Sequence, residues 1–394
     1  MPGDFLRAVF SFLVLLLTMS DEVMSVRNVV FGLNPALQRT LTLTSRLTPG
    51  AVNRGAKVEL GIGGKGQDVF IAAKSMGAEL PVLAQFLGTG AEGDQLACLL
   101  QELAGAEGGG ELNQLTVRTS ARLRNAITLL NPGSDDTTEI VEPSGSVSEE
   151  ELEKMRAALT RSFGGGVGRG SPGIAVMGSM PPGCPALLYA ELVKLCADKQ
   201  SAVVLDVVSN VVPLLSAMQG AVGTLVLKVN ARELLGVVGM QTQGGSESSE
   251  SSGGHVAAAA AALASQLVLS PSTATFVACT DGPFTAHLLR LSRGEDGRAA
   301  VESHTRFSLP PLPGPLVNPI GAGDAVASGT IMALSCKVAL PTGALSSACA
   351  TAKAEDAFRW GLACGAASCL TPSNSQFKRS DAEKVFAGIG TQKA

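Results

Sequence analysis

With 394 residues, 45% of them apolar and only 16% charged, the chain can bury a large core and reads as one α/β domain with insertions and a small accessory element. A formal net charge of −4 and the lack of any basic block exclude nucleic acid as the main partner. Eight cysteines without a C-x-x-C spacing, and three histidines (His255, His287, His304) outside any metal-binding spacing, exclude a disulfide framework, a zinc site and a histidine-based triad. The cysteines read as buried thiols of a reducing compartment.

In chain order, "FLRAVFSFLVLLLTMS" has one Arg, a short apolar core, and small residues Thr18 and Ser20, which is the outline of a signal peptide and too short for a membrane span. Met24 opens "MSVRNVVFGLNP", an equally sound start. Residues 1–23 thus read either as a targeting segment, with an organellar or secretory route, or as a processed extension of a cytoplasmic protein that begins near Met24. No later segment reaches span length, so stable membrane insertion of the remainder is not expected. "NVVFGL" (28–33) reads as a buried strand stopped by Asn34-Pro35, and "LQRTLTLTSRL" alternates as a second strand. "GAKVELG" (55–61) leads into a glycine-rich loop, and "QDVFIAAKSMGA" follows at helical spacing and closes on Gly77. "PVLAQFLG" is again a buried strand, while "ARLRNAITLLN" and "TTEIVEP" pair as a hairpin around "PGSDD".

From residue 148 the pattern becomes regular. "SEEELEKMRAALTRSF" is a helix capped by Ser148, with acids in its first turn. The strands "GIAVMGS", "SAVVLDVV", "TLVLKVN" and "TATFVACTDG" then alternate with helices in "CPALLYAELVKLCADK", "VVPLLSAM" and "ARELLGVVG". This alternation predicts a parallel sheet covered on both faces, and the early hairpins predict a small β lid from residues near 37–60 and 117–142. The main domain spans 24–385. Ser- and Gly-rich stretches at 104–113, 163–173 and 241–255 read as flexible insertions, and 386–394 as a tail.

Three stretches carry chemistry. "GIGGKGQD" (61–68) satisfies G-x-G-x-x-G through Gly61, Gly63 and Gly66, so a dinucleotide loop of an NAD-linked oxidoreductase is one reading. Lys65 inside the motif, a lid-like strand before it and the lack of an acid near residue 86 favour another: a loop where backbone approaches a ligand and presents one cation. A tight turn with a solvated Lys is the plain reading. In "NPIGAGDAVASG", Gly321, Ala322, Gly323 and Asp324 stand at a helix start, where free N–H groups favour anions such as phosphate. Asp324 there fits a general base that takes a proton from an attacking hydroxyl, or an ordinary N-cap. "LKVNARELLG" places Asn230 and Glu233 one turn apart where a strand meets a helix, which suits either a hydrated Mg²⁺ or a capping box. Asp206, at the end of "VVLDVV", lies where α/β sheets place their ligands.

Taken in this order, the motifs resemble the ribokinase/PfkB family of sugar kinases. Gly63-Gly64-Lys65-Gly66 looks like the family's amino-terminal signature, Gly321-Ala322-Gly323-Asp324 like its catalytic anion-hole signature, and Lys228-Val229-Asn230 with Glu233 like its Lys-Pro-Asn…Glu element near Mg-ATP. "LNPALQRT", "VNRGAKVELGIGGKG", "RNAITLLN" with "TTEIVEP", and "GSMPPGCPALLYAEL" are similar to the branch that phosphorylates fructose 1-phosphate and tagatose 6-phosphate. The resemblance implies a ribokinase-like α/β/α fold with a β lid that often joins two copies, ATP as donor, Mg²⁺, and a small sugar or sugar phosphate as acceptor. It implies Asp324 as base, with Arg54, Lys65 and Arg124 on a phosphate already carried by the substrate. Gln38, Gly63, Gly64 and Asp68 fall on the sugar, and Lys228, Asn230, Glu233, Thr280, Asp281 and Gly282 on the nucleotide and its metal.

The chain departs from that pattern at four positions. Gln38 replaces an Asp and Asp68 an Asn, so one carboxylate for hydroxyl recognition has moved from 38 to 68. A sugar that differs in one stereocentre or ring position is the expectation. Cys279 replaces a Gly next to the nucleotide turn, and Pro319 replaces a common Thr. A sugar-binding relative without activity is the alternative that these departures keep open.

Overall fold

In the computed structural model the described residues are 27–112, 115–131, 137–163, 171–240, 249–294, 298–343 and 349–394, and the expected extension 1–23 lies outside them. The first half of the chain forms β1 (Val29–Phe31), β2 (Ala36–Leu43), β3 (Gly55–Gly63), α1 (Lys65–Ser75), β4 (Val82–Thr89), α2 (Ala91–Leu112), β5 (Thr116–Arg122), β6 (Arg124–Leu130), β7 (Thr137–Val141) and α3 (Glu149–Phe163). Then follow β8 (Gly173–Met177), α4 (Leu188–Cys196), β9 (Ala202–Asp206), α5 (Val211–Met218), β10 (Thr224–Asn230), α6 (Ala231–Val237), α7 (Ser249–Ala264) and β11 (Ala274–Thr280). The chain closes with β12 (Ala286–Arg293), β13 (Ala299–Ser308), α8 (Ala322–Leu334), α9 (Ala350–Ser368), α10 (Arg379–Gly388) and β14 (Gly390–Lys393).

The largely apolar runs β1, β4 and β8–β11 pair with more polar outer strands into one large sheet in the order β14-β13-β12-β11-β10-β9-β8-β1-β4-β5, parallel from β5 to β11 and antiparallel beyond. Alternate residues feed opposite faces, as a two-residue period requires. Val29, Phe31, Ile174, Val176, Val203 and Leu205 pack with α3–α7, while Val30, Ala175, Met177 and Val204 pack with α1, α2 and α8–α10. The result is the three-layer α/β/α arrangement that the alternation predicts. No helix among the described residues is long and apolar enough to cross a membrane.

The lid is a separate sheet in the order β3-β2-β6-β7. The hairpin expected of "RNAITLLN" and "TTEIVEP" is there as the antiparallel pair β6–β7. The span near 117–142 is corrected at its start: β5 joins the large sheet beside β4, with Val117 and Thr119 buried, and only β6 and β7 belong to the lid.

Other expectations also change. Residues 104–112 continue helix α2 past a break at Gly105, and 249–255 open α7; residues 113, 164–170 and 241–248 of the expected insertions lie outside the described residues. The expected tail contains β14, which pairs with β13 because an uncovered sheet edge offers a row of unpaired N–H and C=O groups. Of the cysteines, only Cys196, Cys279 and Cys364 are buried, while Cys98, Cys336 and Cys349 are exposed, on helix faces or turns that neighbouring Ala and Leu do not reveal. All of them are free thiols.

Candidate active site

Parallel α/β sheets present their ligands beyond the carboxyl ends of the strands. Here β9 ends on Asp206, which is completely buried. Its Oδ1 accepts a hydrogen bond from Lys65 Nζ at 2.7 Å, and its Oδ2 accepts one from Lys228 Nζ at 2.8 Å. Burial alone would raise the Asp206 carboxyl, but Lys228 and Lys65 hold it below its ordinary range. Burial likewise works to lower the Lys65 ammonium, and Asp206, Asp324 and Glu233 together carry it above its ordinary value.

Glycines bring these charges together. Gly64 sits at φ 114° before α1, and a side chain there would meet Gln67 Oε1 at 2.4 Å. A Cβ on Gly323 would stand 2.7 Å from Lys228 Nζ, so only glycine lets that ammonium lie against the start of α8. This start is anchored from below. Buried Asn318 donates to Pro372 O (3.0 Å) and Asn374 Oδ1 (3.1 Å) and accepts from Ile320 N (3.0 Å), while Ser375 Oγ donates to Gly321 O (2.8 Å). Ala322 N–H turns back to Pro319 O and Ala325 N–H to Gly321 O. The N–H groups of Gly323 and Asp324 therefore remain outward at the helix end, with no carbonyl partner among the described residues. Pro319 fits this loop because its carbonyl is used and no N–H is required of it.

Asp324 is 8% exposed. Burial pushes its carboxyl up to about 7; Lys65 and Lys228 work against that rise, and Asp206 and Glu233 add to it. Asp68, one turn into α1, is 4% exposed, and its Oδ1 has no hydrogen-bond partner. Burial raises the Asp68 carboxyl well above the usual carboxylate range, and the charges of Asp324 and of Glu139 on lid strand β7 push the same way. Gln38 donates to Thr128 Oγ1 at 2.7 Å, and its side chain packs on Gly63. Cross-strand pairing puts Thr128 opposite both Thr40 and Glu139, so the inner lid face over Asp68 is polar and acidic. A cavity of about 460 Å³ continues from Gln38 along α1, past Ile71 and Ser75, to Asn374.

Asn230 and Glu233 form a complete capping box: Asn230 Oδ1 accepts from Glu233 N (2.8 Å) and Glu233 Oε2 accepts from Asn230 N (2.9 Å). Glu233 Oε1, 3.7 Å from Lys65 Nζ, is the oxygen left for an aquated cation. No group of three acids, histidines or cysteines among the described residues could hold a metal alone, so a Mg²⁺ carried by phosphates and water is the form that this donor set fits. Thr280 pairs with Asn230 across β11 and β10, and Asp281 and Gly282 follow in a turn with open space around Gly282. Arg124 is half-buried and donates to Asn34 O (2.7 Å) and Pro35 O (3.3 Å), at the mouth beside β1. Arg54 is not brought there: it stands exposed just before β3, at the opposite end from Gly63, roughly 30 Å away at the usual strand rise. The glycines of 61–66 follow a lid strand and not a strand of the large sheet, which is not the context of a dinucleotide fold.

Residues 172–379, a window that holds Asp206, Lys228, Glu233 and Asp324, match the model of the pfkB family carbohydrate kinases. The chain belongs to that family. It is a carbohydrate kinase, and kinases of this family use ATP, usually with Mg²⁺. Among curated relatives, the 1-phosphofructokinase of Rhodobacter capsulatus is 28% identical over 310 residues, covering 79% of this chain and 84% of the relative. That of Xanthomonas campestris is 27% identical over 198 residues, covering 50% and 57%. Escherichia coli phosphofructokinase-2, solved with substrates and products, shares the fold at a TM-score of 0.63 and 20% identity over 92% of this chain and 99% of that one. Arabidopsis thaliana ribokinase, solved with ribose and ATP, does so at 0.57 and 16% over 91% and 98%.

The raised Asp324 has a consequence for stability. Its folded pKa lies above the unfolded one, so its contribution is fully present below the unfolded value and is lost as pH rises through about 7. Asp324→Asn should therefore gain on the natural chain as pH rises. Urea midpoints at pH 5 and pH 8 are expected to differ between the two proteins by more at pH 8, and an equal or smaller difference there would refute the assignment.

Proposed function

We propose that the kinase transfers the γ-phosphoryl group of ATP to a hydroxyl of a phosphorylated hexose, of the fructose 1-phosphate or tagatose 6-phosphate type. The observation that carries this reading is the position of Lys65, a cation presented beneath the lid and within electrostatic reach of a base poised near neutrality. Arg124 beside β1 is the second cation for the sugar's own phosphate. The names of the curated relatives agree with this substrate class.

In this reading Asp324 takes the proton of the attacking hydroxyl, and a pKa near the working pH suits that task. The outward N–H groups of Gly323 and Asp324, with Lys228 against them, stabilise charge as it builds on the phosphoryl group. Bound Mg²⁺ would supply charge neutralisation on the donor phosphates, held through water by Glu233 beside Asn230. Thr280, Asp281 and Gly282 border the nucleotide. Asp68, its carboxyl raised by burial and left with an unpartnered Oδ1, binds a sugar hydroxyl, while Gln38 holds the lid strand over Gly63 and Gly64.

The outer lid face fits a second copy of this chain. Val58, Leu60 and Ile140 are exposed on it, while Gln38, Thr40 and Thr128 line the inner face. Light scattering should find a dimer, and Leu60→Asp with Ile140→Asp should give a monomer; a natural chain that is monomeric at micromolar concentration would exclude this pairing.

An ADP-coupled assay with fructose 1-phosphate, fructose 6-phosphate, tagatose 6-phosphate and ribose tests the reaction. Turnover is expected with a phosphohexose and not with ribose, and Asp324→Ala should lower kcat by roughly 10²–10⁴-fold. Asp68→Asn should change the ranking of the phosphohexoses. The absence of ADP release with every sugar would instead support a binding protein without activity.

A further inference from the structure

Asp206 is the one buried carboxylate of the cluster that neither substrate can reach: it is completely buried, and both of its oxygens are occupied by ammonium groups. Those two groups come from different places. Lys65 opens α1 behind the lid loop, and Lys228 sits in β10 two residues before the capping box. They are also unequal in access, since the Lys65 side chain is 37% exposed and that of Lys228 is 5% exposed. A triad that served packing alone would have no reason to leave one ammonium on the cleft wall.

We propose that Asp206 is a positioning residue that joins the lysine of the sugar side to the lysine of the nucleotide side, so that one fixed carboxylate aims both at the phosphoryl group in transit. This inference rests on the kinase reading. A lysine side chain has a flexible four-carbon stem, so an untethered Lys65 would settle on the nearest carboxylates. Asp324 and Glu233 are the carboxylates within its electrostatic reach. Collapse onto Asp324 would neutralise the base, and collapse onto Glu233 would occupy the oxygen left for the cation. Asp206 keeps the shortest contact of the ammonium, 2.7 Å against 3.7 Å to Glu233 Oε1, before any ligand arrives. It links the two sides as well: if Lys228 is lost, both oxygens of Asp206 compete for Lys65 and draw it back from the sugar's phosphate.

The test is a kinetic split on the full-length enzyme, begun once the natural chain turns over a phosphohexose; a natural chain that shows no turnover refutes the kinase reading and this inference with it. Asp206→Asn keeps shape and volume but can accept from only one lysine. It should lose roughly 10²-fold in kcat, the scale of a misplaced catalytic group, with the KM values for sugar phosphate and ATP moving less than about fivefold. A variant that is folded by circular dichroism and keeps kcat within threefold would overturn the proposal. Lys228→Met supplies the second arm, which does not depend on the folding of Asp206→Asn. It should raise the KM for the sugar phosphate as well as that for ATP by at least threefold, whereas a change confined to ATP would show that the two lysines act independently and would also overturn it. In the Lys65→Met/Lys228→Met background, Asp206→Asn should cost no further kcat, because its effect passes through those two side chains. A further tenfold loss there would indicate a packing role instead.

Discussion

Everything at the centre of this protein depends on a buried carboxylate held between two ammonium groups. Removing charges from water is costly, and a buried ion group persists only where geometry supplies each oxygen and each proton with a partner. Asp206 meets that condition with hydrogen bonds of 2.7 and 2.8 Å to Lys65 and Lys228. The rest of the local structure follows from it. α1 must begin close to β1 and β9, which needs the glycines around Lys65. α8 must begin against Lys228, which needs Gly323. Small residues along α8 and α9 then let the helices approach closely: a side chain on Gly361 would strike Thr330 Oγ1 at 2.3 Å, and one on Gly365 would strike Val326 Cγ2 at 2.5 Å.

The same electrostatics explains why Asp324 differs from Asp206 although both are buried. Asp206 has two cations in direct contact and stays ionised. Asp324 feels those cations at a greater remove and feels Asp206 and Glu233 as well, so burial dominates and its proton is held up to about 7. Two carboxylates in one pocket are thereby separated into a permanent anion and a titratable base, a separation that acid–base catalysis requires. Asp68 is raised well above the usual carboxylate range by burial, and Asp324 and Glu139 add to the rise. The acid at this position and the amide at Gln38 thus differ: Gln38 locks the lid strand through Thr128, while Asp68 keeps a buried oxygen without a hydrogen-bond partner.

Much of this was legible in the sequence because its signals are local. The buried strands show as continuous apolar runs, and Ser148 is the cap that its position announces; the structure adds Glu151, whose Oε2 accepts from Ser148 N at 2.7 Å. The glycines of 63–66 and 321–323 mark helix starts that a ligand can approach. Asn230 and Glu233 were open to two readings, and the capping geometry is present in full while Glu233 Oε1 lies outside the box, 3.7 Å from Lys65 Nζ. What could not be read depends on distance along the chain. The contact of Asn318 with Asn374, which anchors the start of α8, joins residues 56 positions apart, and nothing near Asn374 announces it. The bond from Lys65 to Asp206 spans 141 positions, so Asp206 could be placed at a strand end but not recognised as the hub. The change from parallel to antiparallel order at β12 and the addition of β14 at the edge depend on which strand edge is free, and that is a property of the assembled sheet. β5 alternates enough to resemble a lid strand and is claimed by the edge of β4.

The central claim is that Asp324 acts on the proton of the acceptor and does not hold the pocket together. It is tested most directly by calorimetric titration of Asp324→Asn with the preferred sugar phosphate and with a non-transferable ATP analogue in the presence of Mg²⁺. Affinities within about threefold of the natural chain are expected for both ligands, together with the loss of phosphoryl transfer. Affinities that collapse in step with turnover, or transfer that survives the substitution, would contradict it.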